Sequence, residues 1–338
     1  MSAAAPSARR DLWQEQARNR RNTWFLIAGF VALLGILGFG ADFFIWTRAG
    51  DGEFPSGFVP IATPIALAVG LLQSVGGYMA GASAVLSSTR ARPADPANPR
   101  EEILLNVVQE MRAASGLPMP RVYVVPDHDP NAFAVGRSPE HAAIAVTEGL
   151  LDQLDREELQ GVIAHEMAHI RNLDIRTMTL VAALLGALVL ISDLSLRMLR
   201  FGGGGSNSRR SSRDGGGGGG GPLVLVFLVL WILLAVVTPI LGQMLAFAVS
   251  RSREFDADAS AAEFTRNPVG LAKALRKIDA AAEPTRSVKR GSAHLCIADP
   301  QGRAVNKSEG ALASLFATHP PIAKRIAILE NMAGVGNA

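Results

Sequence analysis

The ten residues 161–170 read GVIAHEMAHI, and they decide which fold to expect from the rest of the sequence. Residues four apart on a helix lie on one face, about a turn apart, so His165 and His169 can bind the same metal ion. Glu166 follows the first histidine directly. It is placed to take a proton from a water molecule on that metal and later to pass it to a leaving amine. This arrangement is typical of a zinc peptidase.

The residues around this motif predict a helix. Asp155 followed by Glu158 is a capping box, a typical helix start. Apolar residues then recur at helical spacing, at Leu159, Val162, Ile163, Met167 and Ile170. The alternative is that His165 and His169 are ordinary polar residues on a helix surface. Residues 161–170 contain no Lys, Arg or Pro and no acid besides Glu166, which favours a buried metal-binding helix over that alternative.

The apolar residues, 49% of the chain, are concentrated in four long runs. These runs comprise residues 24–46, 58–86, 177–199 and 222–249. Most of them are long enough to cross roughly 30 Å of hydrocarbon, so the sequence predicts an integral membrane protein. The third run is the weakest span, because Asp193 and Arg197 lie in its last turns. A transporter would carry ionisable residues within several spans, and these runs contain almost none.

The charges predict the orientation in the membrane. Residues 1–23 carry five arginines against two acids, and the loop at 47–57 is less basic. The tail is therefore expected in the cytoplasm, and that loop outside. Two glycine tracts make residues 201–221 a flexible linker. The positive charge is concentrated in residues 1–23 and 200–221, and the rest of the chain carries about −3, so no basic catalytic surface points to a nucleic-acid partner. The single cysteine, Cys296, fits a reducing compartment.

Outside the apolar runs the sequence predicts a small domain of mixed structure. A helix should begin at Asn98 and Pro99 and end near Ser115, before Gly116. Three strands follow, at 121–125, 132–135 and 142–147. An exposed edge of such a sheet can bind an extended peptide as an added strand. The alternative is that these strands simply pack under the metal-binding helix.

A catalytic zinc site usually has a third protein ligand. The candidates are Asp174, Glu254, Glu263, His128 and His319. Glu254 is favoured because it begins a new helix at the membrane surface. Asp258 lies four residues later on the same face, where it could orient a metal-bound histidine. Asp174 is the second choice. If Glu254 is the ligand, runs three and four must cross the membrane an even number of times or not at all.

Four separate stretches resemble HtpX-type membrane metalloproteases, which are relatives of the CAAX prenyl proteases. They are residues 161–174, the start of the strand at 131–133, residues 253–258, and residues 319–321 together with Arg325. The resemblance implies a zinc endopeptidase of the bacterial inner membrane with its active site in the cytoplasm. It also implies a part in the quality control of membrane proteins under stress.

The resemblance also implies roles for individual residues. The zinc ligands would be His165, His169 and Glu254, the general base Glu166, and the acid that contacts a ligating histidine Asp258. Asn131 would hold the backbone of the substrate, and His319 would stabilise the oxyanion. Arg325 is expected to fix the last helix rather than to contact substrate.

We therefore predict a mostly helical protein: membrane helices plus an α+β metallopeptidase domain of the zincin (gluzincin) type with a short β-sheet. The predicted parts are a basic cytoplasmic tail (1–23), two transmembrane helices (24–86), a first catalytic part (87–176), a membrane hairpin containing the linker 201–221 (177–249), and a second catalytic part (250–338).

The predicted function is zinc-dependent cleavage of misfolded or damaged membrane proteins, with one Zn²⁺ per chain and the lipid bilayer as its surroundings. Two histidines and a carboxylate also suit other divalent metals. The alternatives are a processing protease for prenylated proteins and a nonenzymatic membrane scaffold. The scaffold is the less favoured, because a degenerate site usually loses the residue equivalent to Glu166 first.

Overall fold

The structure is a computed structural model that describes six parts of the chain. These are residues 12–49, 59–185, 253–281, 287–288, 295–298 and 320–334. Most of the third predicted membrane run and the whole of the fourth lie outside the described residues, as does the glycine-rich linker. The prediction of a membrane hairpin at 177–249 is therefore not tested.

Two long helices, α1 (Leu12–Ala49) and α2 (Ala62–Ser88), form an antiparallel pair. Residues 16–43 and Ala62–Ser88 are each long and apolar enough to cross a membrane. Large apolar side chains on the outside of the pair are exposed, among them Trp24, Phe25, Leu72, Val75 and Met79. Such surfaces suit contact with lipid tails.

Asp42 joins the two helices. Its carboxylate is buried and accepts hydrogen bonds from the backbone N–H groups of Ile61, Ala62 and Thr63 at 2.7–3.0 Å. These groups begin α2 and have no partner inside that helix, so the carboxylate of α1 caps α2. The helices approach closely at Gly38, where an added Cβ would lie 2.8 Å from the carbonyl oxygen of Ala62.

The short sheet has the strand order β1-β2-β4-β3. Its strands are β1 (Arg92–Pro93), β2 (Arg121–Val125), β3 (Ala132–Val135) and β4 (Ala143–Thr147). β2 and β4 are parallel, whereas β1–β2 and β3–β4 are antiparallel. The three strands predicted from the sequence are confirmed, and β3 lies at the edge.

On the peptidase side, local signals correctly predict both ends of one helix and the start of another. Helix α3 (Pro99–Ser115) has Asn98 as its N-cap and the left-handed Gly116 after its end. After the short α4 (Glu148–Gln153), helix α5 (Arg156–Arg171) begins with the predicted capping box, since Asp155 and Glu158 each bond the other's backbone. Both helices pack together and contribute to one apolar core with the inner face of the sheet.

Four further α-helices follow α5 in the described residues. They are α6 (174–185), α7 (253–265), α8 (Pro268–Ala280) and α9 (Ile322–Met332). At Gly161 an added Cβ would lie 2.6 Å from the backbone nitrogen of Leu271, so only glycine lets α8 approach α5 this closely. Helix α6 is the start of the third apolar run, and its Leu180, Val181 and Leu184 are buried in a cluster with residues of α1.

Candidate metal centre

Helix α5 holds both histidines and the glutamate of the motif in the protein interior. Only 1% of His165, 1% of Glu166 and 4% of His169 is exposed. The apolar residues between and beside them fill the core, and the capping box fixes the start of the helix. The predicted helix and the predicted burial of its motif are therefore both present.

Three side chains converge on one point. The Nε2 atoms of His165 and His169 are 3.2 Å apart. Carboxylate oxygens of Glu254 lie 3.7 Å from the first of these nitrogens and 3.6 Å from the second. Ligands at about 2.0–2.1 Å from a tetrahedral zinc ion are themselves about 3.3 Å apart, so the three side chains can hold a metal ion with little adjustment.

The charges around this point also fit a divalent cation. Four buried carboxylates belong to the site, those of Glu166, Asp174, Glu254 and Asp258. Two buried guanidinium groups, those of Arg253 and Arg325, face them. With all six groups ionised and the histidines neutral, a charge of minus two is left. Buried charges need compensation, and a divalent ion supplies it.

The ring of His165 is fixed from behind by Asp258 of α7. The distance from His165 Nδ1 to the Asp258 carboxylate is 3.0 Å. Arg325 of α9 donates two hydrogen bonds to that carboxylate, at 2.7 and 2.8 Å. Arg325 also contacts Glu254 at 3.1 Å. A histidine held in this way turns its Nε2 toward the metal.

The ring of His169 is fixed in the same manner by Asp174 at the start of α6. His169 Nδ1 lies 3.0 Å from one oxygen of Asp174. Arg253 donates to the other oxygen at 3.0 Å. Burial raises the pKa of Asp174, but the positive charge of Arg253 and the hydrogen bond to His169 together outweigh burial and keep that pKa below its usual value. Asp174 is therefore ionised and can accept the Nδ1–H of His169.

The two imidazoles differ in the metal-free protein. Burial lowers the pKa of His165. Burial acts in the same direction on His169, but its hydrogen bond to Asp174 and the charge of Glu254 raise its pKa to about 9. A metal ion must therefore displace a proton from His169 at neutral pH, so metal affinity rises with pH.

Glu166 lies beside the three candidate ligands and is buried with them. Burial raises its pKa to about 7. The backbone N–H of Ala134, on strand β3, donates to its carboxylate, while its Oε2 has no hydrogen-bond partner among the described residues. A buried carboxylate with a free oxygen and a pKa near neutrality can accept a proton from water and return it.

Of the five candidates for the third ligand, the structure brings Glu254 to the two Nε2 atoms. Asp174 contacts the opposite side of the His169 ring. Glu263 is exposed and pairs with Arg171, and His128 is exposed on a loop. His319, predicted to stabilise the oxyanion, lies outside the described residues.

The edge of β3 is occupied in part by the chain itself. The backbone N–H of Ile297 donates to the carbonyl of Ala132 at 2.9 Å, and Phe133 bridges to Cys296. Asn131, predicted to hold substrate, donates from Nδ2 to the carbonyl of Ala298 at 3.1 Å. In this stretch the edge of β3 is therefore covered, because residues 295–298 are apolar and lie buried against it.

The sequence did not predict three contacts of this site. Asp174 contacts the ring of His169, Arg253 donates to Asp174, and Asn19 of α1 also donates to Asp174. One signal was available in the sequence. Asn19 and Thr23 are polar residues one turn apart where an apolar helix begins, and both are buried. Polar residues in such a place usually have a partner, although the sequence does not show which.

Comparison with known proteins agrees with this geometry. The model of peptidase family M48 matches residues 98–333. A Protease HtpX homolog from Streptococcus gordonii is 42% identical over 95% of this chain and all of its own length. Another from Thermoanaerobacter pseudethanolicus is 39% identical over 96% of this chain and 99% of its own length.

Among solved structures, the crystal structure of Ste24p from S. mikatae aligns with a TM-score of 0.45 and 18% identity. The alignment covers 94% of this chain and 66% of that one. The family match and the two HtpX homologues carry the assignment. A metal site on a helix with two histidines and a glutamate is what a metallopeptidase requires. The chain belongs to peptidase family M48, as a membrane metalloprotease similar to the HtpX proteases.

Proposed function

We propose that this protein is a zinc-dependent endopeptidase of the bacterial inner membrane that cleaves misfolded or damaged membrane proteins under stress. The observation that carries the proposal is the convergence of His165, His169 and Glu254 beside the buried base Glu166. The two candidate spans support a membrane setting, and the charge of the N-terminal tail supports a cytoplasmic active site. The proposal includes a membrane span at each of the four apolar runs and the domain limits that the sequence predicts.

His165, His169 and Glu254 would hold the zinc ion, which acts when bound as a Lewis acid that polarises a carbonyl group and lowers the pKa of water. Glu166 takes the proton from the attacking water and then delivers it to the amine that leaves. Its burial serves both steps, because a carboxylate with a pKa near 7 can accept a proton and also release it. Asp258 and Asp174 keep the two histidines oriented throughout.

We also propose that Asn131 and the edge of β3 bind the substrate backbone, and that His319 stabilises the charge on the carbonyl oxygen. Ala132 already accepts a hydrogen bond there from Ile297. An extended peptide could be bound by the same groups once residues 295–298 have moved away from β3. The apolar side chains of residues 295–298 fit the idea that the edge accepts apolar sequences, such as those of membrane proteins.

Cleavage of casein tests the peptidase activity. The full chain is purified in detergent with a chelator, and Zn²⁺ is then restored. Cleavage should return with zinc in the wild type, and in Glu166→Gln it should be slower by a factor of about 10² to 10⁴. Glu157→Gln changes an exposed acid on the same helix and should cleave at the wild-type rate.

The outcomes separate the possibilities. An undiminished rate in Glu166→Gln would remove this residue from the mechanism. A folded, zinc-loaded wild type that leaves casein intact would contradict a broad endopeptidase and favour either a processing enzyme with a narrow substrate range or a scaffold.

A further inference from the structure

Helix α1 reaches the metal centre through the buried side chain of Asn19. Asn19 lies near the start of the first candidate span and is only 2% exposed. Its Nδ2 donates to a carboxylate oxygen of Asp174 at 2.8 Å and to the backbone carbonyl of Asn172 at 2.9 Å. The other oxygen of Asp174 holds the ring of His169 at 3.0 Å. Two hydrogen bonds therefore connect a membrane helix to a candidate metal ligand.

Asn19 also contacts Arg253, which is next to the candidate ligand Glu254. Its Oδ1 accepts from Nη1 of Arg253 at 3.4 Å, and the same nitrogen donates to Asp174 at 3.0 Å. Arg253 immediately precedes Glu254 in the chain. Each of these three buried side chains is thus hydrogen-bonded to the other two: Asn19, Asp174 and Arg253. These bonds fix the position of the Asp174 carboxylate. Networks of this kind hold their members more rigidly than a single bond does.

We propose that Asn19 is a positioning residue of the metal centre and that helix α1 is thereby part of it. By fixing Asp174, Asn19 sets the orientation of the His169 ring and raises the affinity of the site for its metal. The family match begins at residue 98, so this contribution comes from outside the matched peptidase region. The inference rests on the proposed metal site.

A simpler role for Asn19 is to attach α1 to the peptidase domain. Two neighbours on α1 do this without contacting Asp174. Thr23 shares a hydrogen bond with Thr177 of α6 at 3.0 Å, and Gln16 donates to the carbonyl of Arg171 at 2.9 Å. If attachment were the only role, the loss of Thr23 and the loss of Asn19 would have the same effect on the metal. The two residues therefore provide a matched comparison.

The experiment measures zinc affinity in the full chain, purified in detergent, by competition with a chromophoric chelator. Asn19→Ala should weaken binding about tenfold, the lower end of what the loss of a residue behind a metal ligand costs. Asn19→Leu fills a similar volume without a donor, so it should give the same result even if the cavity left by alanine impairs folding. Thr23→Val removes one hydroxyl from the same interface and should bind zinc like the wild type.

The visible absorption of bound Co²⁺ gives a second readout that attachment alone would not move. It should change in Asn19→Leu and remain as in the wild type in Thr23→Val. In an Asp174→Asn background, Asn19→Leu should cause little further loss of affinity, because both changes affect the same support of His169.

Equal zinc affinity and equal Co²⁺ spectra in Asn19→Leu, Thr23→Val and the wild type would overturn the inference. A wild type that binds no zinc, or binds it no better than His165→Ala, would overturn the metal site itself. That second result is distinct, because it appears before any change at Asn19 is made.

Discussion

The two histidines of the metal centre are supported in the same way by different parts of the chain. Each Nδ1 lies 3.0 Å from a buried carboxylate, and each carboxylate is paired with a buried arginine. Behind His165 these residues are Asp258 and Arg325, from α7 and α9. We call this pair of residues the C-terminal arm. Behind His169 they are Asp174 and Arg253, which we call the membrane arm because Asn19 of α1 joins them.

The two arms differ in which residues donate hydrogen bonds to the carboxylate behind the histidine. Arg325 bonds Asp258 through two nitrogens and is fully buried within the region that the family model matches. Arg253 makes one hydrogen bond to Asp174, and Asn19 supplies a second from outside that region. The C-terminal arm thus depends on the last described helix, whereas the membrane arm depends on the first. The support of the two candidate histidine ligands is in this way tied to both ends of the described chain.

The largest expected difference between the arms concerns stability. Arg325→Met leaves the carboxylate of Asp258 buried without its ionic partner, which costs about 3 to 5 kcal/mol. Arg253→Met should cost less, because Asn19 still donates to Asp174. Thermal unfolding of the metal-free proteins in detergent should show a lower midpoint for Arg325→Met than for Arg253→Met.

A double variant separates the two functions of the C-terminal arm. Asp258→Leu combined with Arg325→Met removes both charges and should recover part of the lost thermal stability, the part that comes from unpaired Asp258, while Glu254 remains without Arg325. Its zinc affinity should stay weak, because His165 has lost the acid that orients it. Equal midpoints for the two single arginine variants would show that the arms do not differ as described.

A smaller difference should appear in the pH dependence of the metal-free protein. The pKa of His169 in the folded state is about 9, above the value of about 6.5 expected after unfolding. Its contribution to stability is therefore complete below pH 6.5 and is lost as the pH rises through 9. Between pH 7 and 9 we expect a loss of about 2 kcal/mol, seen as a falling unfolding midpoint.

The variants assign this loss to the membrane arm. Asp174→Asn should remove most of the fall between pH 7 and 9, whereas Asp258→Asn should leave it in place, since burial lowers the pKa of His165. Glu166 affects the pH dependence of stability mainly below pH 7, because its pKa in the folded protein is about 7. A midpoint that stays level or rises between pH 7 and 9 in the metal-free wild type would contradict the assignment.

Much of the fold follows from local sequence signals. Asn98, Gly116 and the capping box at Asp155 mark helix ends at the positions where the structure has them. These signals work because the groups that satisfy a helix end lie within a few residues of it. The spacing of His165 and His169 is local in the same sense, since one turn of helix fixes their relation.

The rest depends on contacts between distant residues. Glu254 and Asp174 were both plausible ligands, and only the packing of α5 against its neighbours determines which nitrogen of a histidine each acid meets. Asn19 and Asp174 are separated by 155 positions, and no local pattern connects them. The pairing of residues 295–298 with β3 is likewise a long-range contact, which the alternation of the strand could not reveal.

The most direct test is the zinc content of each protein after removal of loosely bound metal. The wild type and Glu166→Gln should retain one zinc ion per chain, since Glu166 is not among the ligands. Glu254→Ala and His169→Ala should retain almost none, while Glu263→Ala, which changes an exposed acid on the same helix as Glu254, should retain a full complement. A full complement of zinc in Glu254→Ala would contradict the site described here and place the third ligand elsewhere in the chain.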